Sequence, residues 1–344
     1  MDLASRSAVS QSLLADETLA ARITEAFFSR HPEWEARFGA AGRRRCTEDA
    51  RFHLSFLAGA VQAGSPAIFA EYATWCADML AVRKIDRAHL LEHFDLLEEH
   101  LDLGDAGRAL VGETIAAARL ALSRGSAFVI ERTDERTPLR LAYLSGALAG
   151  RRGEAWEATR EAIRQGLSVA DVYRDLVLWA QRHLGELWVG AAITVAQEHM
   201  ASAVTQSVIA RLYAEIPGDR PAGRALVAGV EGELHALPAQ LASDLLELDG
   251  WDVAFVGTHV PLQSVLAAIE AEKPDVLGLS TTMGFNLPKL VALVAAVRAK
   301  FATLPIVVGG RAMRGALALS TELSLAVDGG DGAAFRVHAQ PPRH

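Results

Sequence analysis

The sequence predicts a molecule in three parts: an all-helical N-terminal domain, a four-helix bundle, and a doubly wound α/β domain with a parallel five-stranded sheet. Three observations predict it. Apolar residues recur at helical spacing through the first two thirds of the chain. Two polar or Pro/Gly-rich stretches, Ser123–Pro138 and Ile216–Gly223, split that region in two and separate it from the last third of the chain. Beyond residue 222, short β-rich runs alternate with helical stretches, the pattern of parallel strands joined by right-handed crossovers. The domain boundaries are accordingly placed at 1–125, 138–215 and 222–338.

Each element has a local reason. Leu13, Leu14, Leu19, Ile23, Phe27 and Phe28 form one helical stripe before the His31-Pro32 break. Phe52, Phe56, Leu57, Ala60 and Val61 form a second, stopped by Gly64-Ser65-Pro66. Phe69, Tyr72, Ala73, Cys76, Met79 and Leu80 make a third, Leu90–Leu101 a fourth, and Ala109–Leu122 a fifth. In the middle part the helices are Leu139–Leu148, Glu154–Gln165, Val169–Trp188 and Val195–Tyr213, with Ser168 as N-cap and Asp171 completing a capping box. Their short connections favour a bundle. The strands are Ala225–Val230, Val253–Val256, Val276–Ser280, Ile306–Val308 and Leu325–Val327, with helices Leu237–Leu248, Leu262–Glu272 and Leu287–Phe301 between them.

Composition excludes several function classes. The chain has 344 residues, 51% apolar and 22% charged, which rules out a disordered or collagen-like protein. Its net charge is −8, so no global basic footprint for nucleic acid exists. The only dense basic run is Arg43-Arg44-Arg45, read as a solvated turn or an anion contact. Cys46 and Cys76 are too few for a disulfide framework and match no zinc spacing. No apolar run approaches the ~20 residues of a membrane span, and the N-terminus lacks a signal-peptide core. A cytoplasmic protein with no membrane contact is expected.

In open parallel sheets, ligands sit at the carboxyl ends of the strands, so the loops there carry the functional reading. The first strand runs into Glu231-Gly232-Glu233-Leu234-His235. An imidazole two residues after a carboxylate is either a solvated loop histidine or a metal ligand whose tautomer the carboxylate holds. One histidine cannot hold a bare ion, but it suffices for a metal carried in a macrocycle. The third strand ends in Ser280-Thr281-Thr282 and the fourth in Gly309-Gly310, where missing side chains let a ligand approach the backbone.

Together these residues resemble the cobalamin-binding fold. That family's pattern is Asp-x-His-x-x-Gly, 41 residues, Ser-x-Leu, 26–28 residues, Gly-Gly. Here Glu233–Pro238, a gap of 41, Ser280–Thr282, a gap of 26 and Gly309-Gly310 occur in the same order. The resemblance implies His235 as the lower axial cobalt ligand and a nucleotide tail passing Ser280, Thr282 and the Gly309-Gly310 turn. Glu233 stands for Asp, Pro238 for Gly and Thr282 for Leu. Pro238 reads as the first residue of the following helix, a position that tolerates it.

The preceding bundle contains Trp188, nine residues, then Glu198-His199. Before a cobalamin fold this is similar to the cap of CarH-type light sensors, which implies that Trp188, Glu198 and His199 face the adenosyl group of adenosylcobalamin. Methyl-carrying corrinoid proteins use a similar bundle, so a corrinoid methyl-carrier protein of a methyltransferase system is the alternative. A CarH-type cap has a histidine directly after the Trp; here that residue is Val189, which leaves His199, His183 or water to take the cobalt position after photolysis. The sensor reading implies a non-catalytic photoreceptor that signals through light-dependent homo-oligomer change or a partner, without direct nucleic-acid binding.

The first 122 residues carry no wing-like strands and no basic recognition helix. They have the length and helicity of a globin-like domain, with His53, His89, His93 and His100 among Trp34, Tyr72 and Trp75. Two readings stand: a helical dimerisation or signalling domain, or a second tetrapyrrole pocket. The second is similar in architecture to the photocobilins, which implies biliverdin, with Arg43–Arg45 available to its propionates; noncovalent binding is expected, although Cys46 or Cys76 could in principle attach it.

Overall fold

A computed structural model describes residues 1–124, 134–216, 218, 222–329 and 333–338. The N-terminal part is six helices: α1 Leu3–Ala15, α2 Leu19–Arg30, α3 Pro32–Ala63, α4 Pro66–Val82, α5 Arg87–His100 and α6 Asp105–Arg124. The stripe that reads as one helix before His31 is two, because the Asp16 carboxylate accepts from the Thr18 backbone N–H and hydroxyl and turns the chain. Two of the breaks follow their residues: Pro32 and Pro66 open α3 and α4, and Gly64 ends α3 with φ +61°. Within α3, Gly39 adopts φ +54° and kinks the rod.

The middle part has α7 Thr137–Leu148, α8 Arg152–Arg164, α9 Val169–Val172, a π-helical turn over Tyr173–Leu178, α10 Trp179–Val189 and α11 Val195–Leu212. The segments from α9 to α10 run on without a break, so four rods share a core built on Tyr143, Tyr173, Leu176, Leu184 and Ile209. The Ser168–Asp171 capping box forms, and Thr194 with Gln197 makes a second one at α11. The connection expected over Ser123–Pro138 lies mostly outside the described residues, as does much of Ile216–Gly223.

The C-terminal part alternates β1 Gly223–Gly229, α12 Ala236–Leu248, β2 Trp251–Gly257, α13 Leu262–Glu272, β3 Val276–Ser280, α14 Leu287–Lys300, β4 Ile306–Gly309, α15 Leu317–Glu322, β5 Ala326–Val327 and α16 Ala333–Arg336. All strand pairs are parallel, in the order β2-β1-β3-β4-β5. Successive side chains alternate between faces. Leu226, Ala228, Leu277, Leu279, Ile306 and Val308 face one layer, whereas Ala225, Val227, Val276, Val307 and Trp251 face the other. The order reverses at β1, so the crevice beside β1 and β3 is the switch point where such sheets bind ligands.

Both helical parts dock on this domain. The four-rod core extends over Leu241 and Leu245 of α12, and Tyr173 donates a 2.7 Å hydrogen bond to buried Asp244. The N-terminal helices share one continuous core with a face of the sheet. They come close at Gly59, where a Cβ would lie 2.1 Å from the Gly284 carbonyl oxygen, so only glycine fits. Arg311 pairs with Glu71 and Arg6 with Glu322 across the same junction. The N-terminal helices are therefore packed on the sheet domain, not tethered beside it.

Candidate functional site

The site is built at the carboxyl edge of β1 and β3. After β1 the chain turns through Glu231–Leu234 and delivers His235 to the N-terminal edge of α12. Pro238 is the third helical residue, not the first; its missing N–H belongs to the four that lack intrahelical partners in any case. Glu233 is fully buried and makes the central contacts. Its Oε1 accepts from His235 Nδ1 at 2.6 Å and from the His235 backbone N–H at 2.9 Å. Its Oε2 accepts from the Thr282 N–H at 2.6 Å, the Met283 N–H at 3.4 Å and Asn286 Nδ2 at 3.3 Å. The carboxylate thus locks the loop after β1 to the loop after β3.

The electrostatics come from that geometry. Burial pushes the Glu233 carboxyl upward, but hydrogen bonds from the His235 ring and the Thr282 and His235 backbone outweigh it and its pKa ends below the ordinary value. The His235 pKa is raised, chiefly by its hydrogen bond to Glu233 against the opposing effect of burial, with added attraction from Glu233 and Glu198. Nδ1 is committed to Glu233, so Nε2 is the ring atom left to act, on a side chain 51% exposed.

Of the remaining predicted residues, Ser280, Thr282, Gly309 and Gly310 lie at the same strand edge, whereas Trp188, Glu198 and His199 lie on the helical bundle. Ser280 pairs in register with Gly229 on one side and Gly309 on the other, at the mouth of the crevice. Thr282 joins the Glu233 network through its backbone. Gly310 has φ +102°, and a Cβ there would meet the Thr281 carbonyl oxygen at 2.2 Å, so the turn can exist only without a side chain. On the helical side, His199 Nδ1 lies 2.5 Å from its neighbour Glu198, whose other oxygen accepts from Ser202 at 2.9 Å. Glu198 adds a smaller attraction that also raises the His235 pKa. Trp188 is half-buried near the end of α10, and half-buried Val189 follows it. His183 is engaged elsewhere, stacked on Trp179 at 4.8 Å.

Sequence reasoning missed two contributors, Asn286 and Trp75, and named a third, Thr281, only as part of a cluster. Asn286 is buried and holds Glu233, and Thr281 supplies the wall behind Gly310. Trp75, from α4, stacks on Trp188 with ring centroids 6.1 Å apart and planes at 28°. The Ser280-Thr281-Thr282 cluster signalled Thr281, but nothing local to residue 75 signals a partner more than a hundred positions away.

The chemistry of these residues fits a corrinoid, whose metal His235 would ligate. His235 Nε2 is oriented and partly exposed, and its tautomer is fixed by a buried carboxylate. The Thr281 and Thr282 hydroxyls are buried without a hydrogen-bond partner, the state expected of groups built to meet a polar ligand.

Comparison with known proteins points to the same class of ligand. Residues 223–336 match the B12 binding domain family, and residues 140–213 match a second B12 binding domain family. The chain is 29% identical over 126 residues to the HTH-type transcriptional repressor CarA of Myxococcus xanthus, covering 36% of this chain and 43% of that protein. It is 30% identical over 149 residues to the HTH-type transcriptional repressor CarH of the same organism, covering 43% and 50%. The chain therefore spans half or less of the length of these curated relatives. The monomethylamine corrinoid protein of Methanosarcina barkeri superposes with a TM-score of 0.52 at 17% identity, over 59% of this chain and 97% of that one, a likeness of fold.

Proposed function

We propose that this chain, whose residues 140–213 and 223–336 match B12 binding domains, is a light sensor holding adenosylcobalamin with His235 as the lower cobalt ligand. The bound cofactor supplies a weak cobalt–carbon bond that visible light breaks. The protein's own residues do the rest. Glu233 keeps the His235 proton on Nδ1, so that Nε2 offers its lone pair. Trp188, Glu198 and His199 would face the upper side of the cofactor, and loss of the upper group would remove a packing partner from α10 and α11.

The single observation that carries the sensor reading is the Trp188–Trp75 stack. It gives a change at the cap a direct route into the N-terminal helices, which a simple carrier has no use for. The signal then leaves by a change of homo-oligomeric assembly or through a partner, without catalysis. A net charge of −8 favours a protein partner over nucleic acid. The test is a visible spectrum and a sedimentation profile of the adenosylcobalamin-loaded chain before and after green light. The sensor reading expects both to change.

A corrinoid methyl carrier is the second reading, favoured by the fold likeness to the monomethylamine corrinoid protein. It expects methyl transfer to the bound corrinoid and indifference of the assembly to light. A coupled biliverdin chromophore is supported only by the buried cluster of Cys46, His53, Tyr72 and His93 in the N-terminal helices. A red-absorbing band after biliverdin addition is the readout; its absence removes that chromophore and leaves the cobalamin reading intact.

A further inference from the structure

A separate cluster lies in the N-terminal helices, at the corner where α2 hands over to α3. His31 occupies that corner, ending α2 and preceding Pro32, so its backbone is fixed from both sides. His89 and Glu92 lie three residues apart on α5 and so project from one face of that helix. One donor atom from each of His31, His89 and Glu92 falls within 4.8 Å of the other two. His31 Nε2 is 2.5 Å from Glu92 Oε2, and the two imidazole rings stand 5.1 Å apart at 89°. All three residues are half-buried.

The surroundings are those of a metal-binding imidazole. His31 Nδ1 lies 3.1 Å from Glu33 Oε1, so a carboxylate holds the nitrogen that faces away from Glu92. Arg30 approaches the other oxygen of Glu92 at 3.6 Å, so Oε2 is the oxygen that faces His31, and an ion bound there would replace the His31–Glu92 hydrogen bond. Phe27 and Trp34 wall one side, with ring centroids 5.8 and 4.7 Å from His89. Two imidazoles and one carboxylate form a donor set for borderline divalent first-row ions, with a fourth position for water.

We propose that His31, His89 and Glu92 bind a divalent first-row transition ion, Zn2+ in preference to Mg2+ or Ca2+. Glu33 is a positioning residue that fixes the His31 tautomer. The ion bridges the α2–α3 corner to α5, so loading braces the helices whose α4 carries Trp75. This site is independent of the cobalamin reading and lies on different elements.

The test uses the full, tag-free chain, loaded with cobalamin so that His235 is occupied, stripped with a chelator and titrated with Zn2+ against a chromophoric competitor. One tight equivalent is expected, with Mg2+ unable to displace it, and a rise in thermal midpoint of the helical signal. H89A and E92Q should each weaken Zn2+ binding by at least ~100-fold, and E33Q by ~10–100-fold, whereas H100A, at the end of α5, should leave it unchanged. X-ray absorption of the zinc-loaded wild-type chain should show two imidazole ligands, a readout that holds even if a variant misfolds. Absence of a stoichiometric site, wild-type affinity in both H89A and E92Q, or an all-oxygen shell would overturn the proposal. Repeating the titration on cobalamin-free H235A separates this result from any failure of the cobalamin site.

Discussion

Replacing Glu233 with Gln is the sharpest perturbation of the strand-end site. The carboxylate accepts five hydrogen bonds, two at Oε1 and three at Oε2, from donors that point only at acceptors. An amide has one accepting end, so its NH2 must face either the His235 side or the Thr282 side. Facing His235, it forces Nδ1 to accept, moves the ring proton to Nε2 and removes the lone pair from the cobalt side. Facing Thr282, it sets two donors against each other in a fully buried place, at a cost of about 1–3 kcal/mol. Either way Glu233→Gln is expected to lower cobalamin affinity by ~10–100-fold, the range for a lost partner of a metal-bound imidazole. The assay is a visible-absorbance titration of the chain with adenosylcobalamin, with circular dichroism to confirm folding. Wild-type affinity and an unchanged bound spectrum in a folded E233Q would refute the claim that Glu233 sets the ligand tautomer.

Separate parts of the molecule carry the other predictions. Trp75→Ala removes the stack on Trp188 without touching the strand-end residues, so cobalamin affinity should change less than about threefold while the light-induced sedimentation change is lost or halved; aromatic pairs are worth ~0.5–1.5 kcal/mol beyond area burial, enough to bias a two-state cap. Asp244, buried against the cap, has its pKa pushed by burial up to about 6. A folded value above the unfolded one means its contribution is full below about pH 4 and is lost as pH rises through about 6, a loss on the order of 3 kcal/mol by pH 7.5. Urea unfolding of Asp244→Asn should therefore show a flattened pH dependence between 4.5 and 7.5 and a higher midpoint at pH 7.5; an unchanged slope would contradict it. His199→Ala should alter the illuminated spectrum if His199 takes the vacated cobalt position, and an unaltered spectrum assigns that position to water or another group.

How much of this was legible in the sequence depends on the range of the interaction. The sheet and its helices were legible because alternating β and α periods are local, and β3 and α13 have the bounds their residues suggested. The strand-end motifs were legible because they are short loops at fixed spacing. The split of the first stripe at Asp16 was not, since a side-chain turn interrupts a helix without disturbing its apolar spacing. Nor was the docking of the N-terminal helices, which rests on Gly59 meeting Gly284 and on pairs such as Arg311–Glu71 far apart in the chain. Trp75 and Asn286 belong to the site through such contacts, and no periodicity announces them.

The cap and strand edge are proposed to form a light-labile cobalamin site coupled to the N-terminal helices. The most direct test is hydrogen exchange on the adenosylcobalamin-loaded chain in the dark and after green light. Bleaching of the dark spectrum is expected, with deprotection of α10, α11 and α4 around Trp188 and Trp75, all absent in His235→Ala. Retained cobalamin whose spectrum changes under light with no exchange difference in α4 would contradict the coupling. A dark spectrum indifferent to green light would contradict the sensor itself.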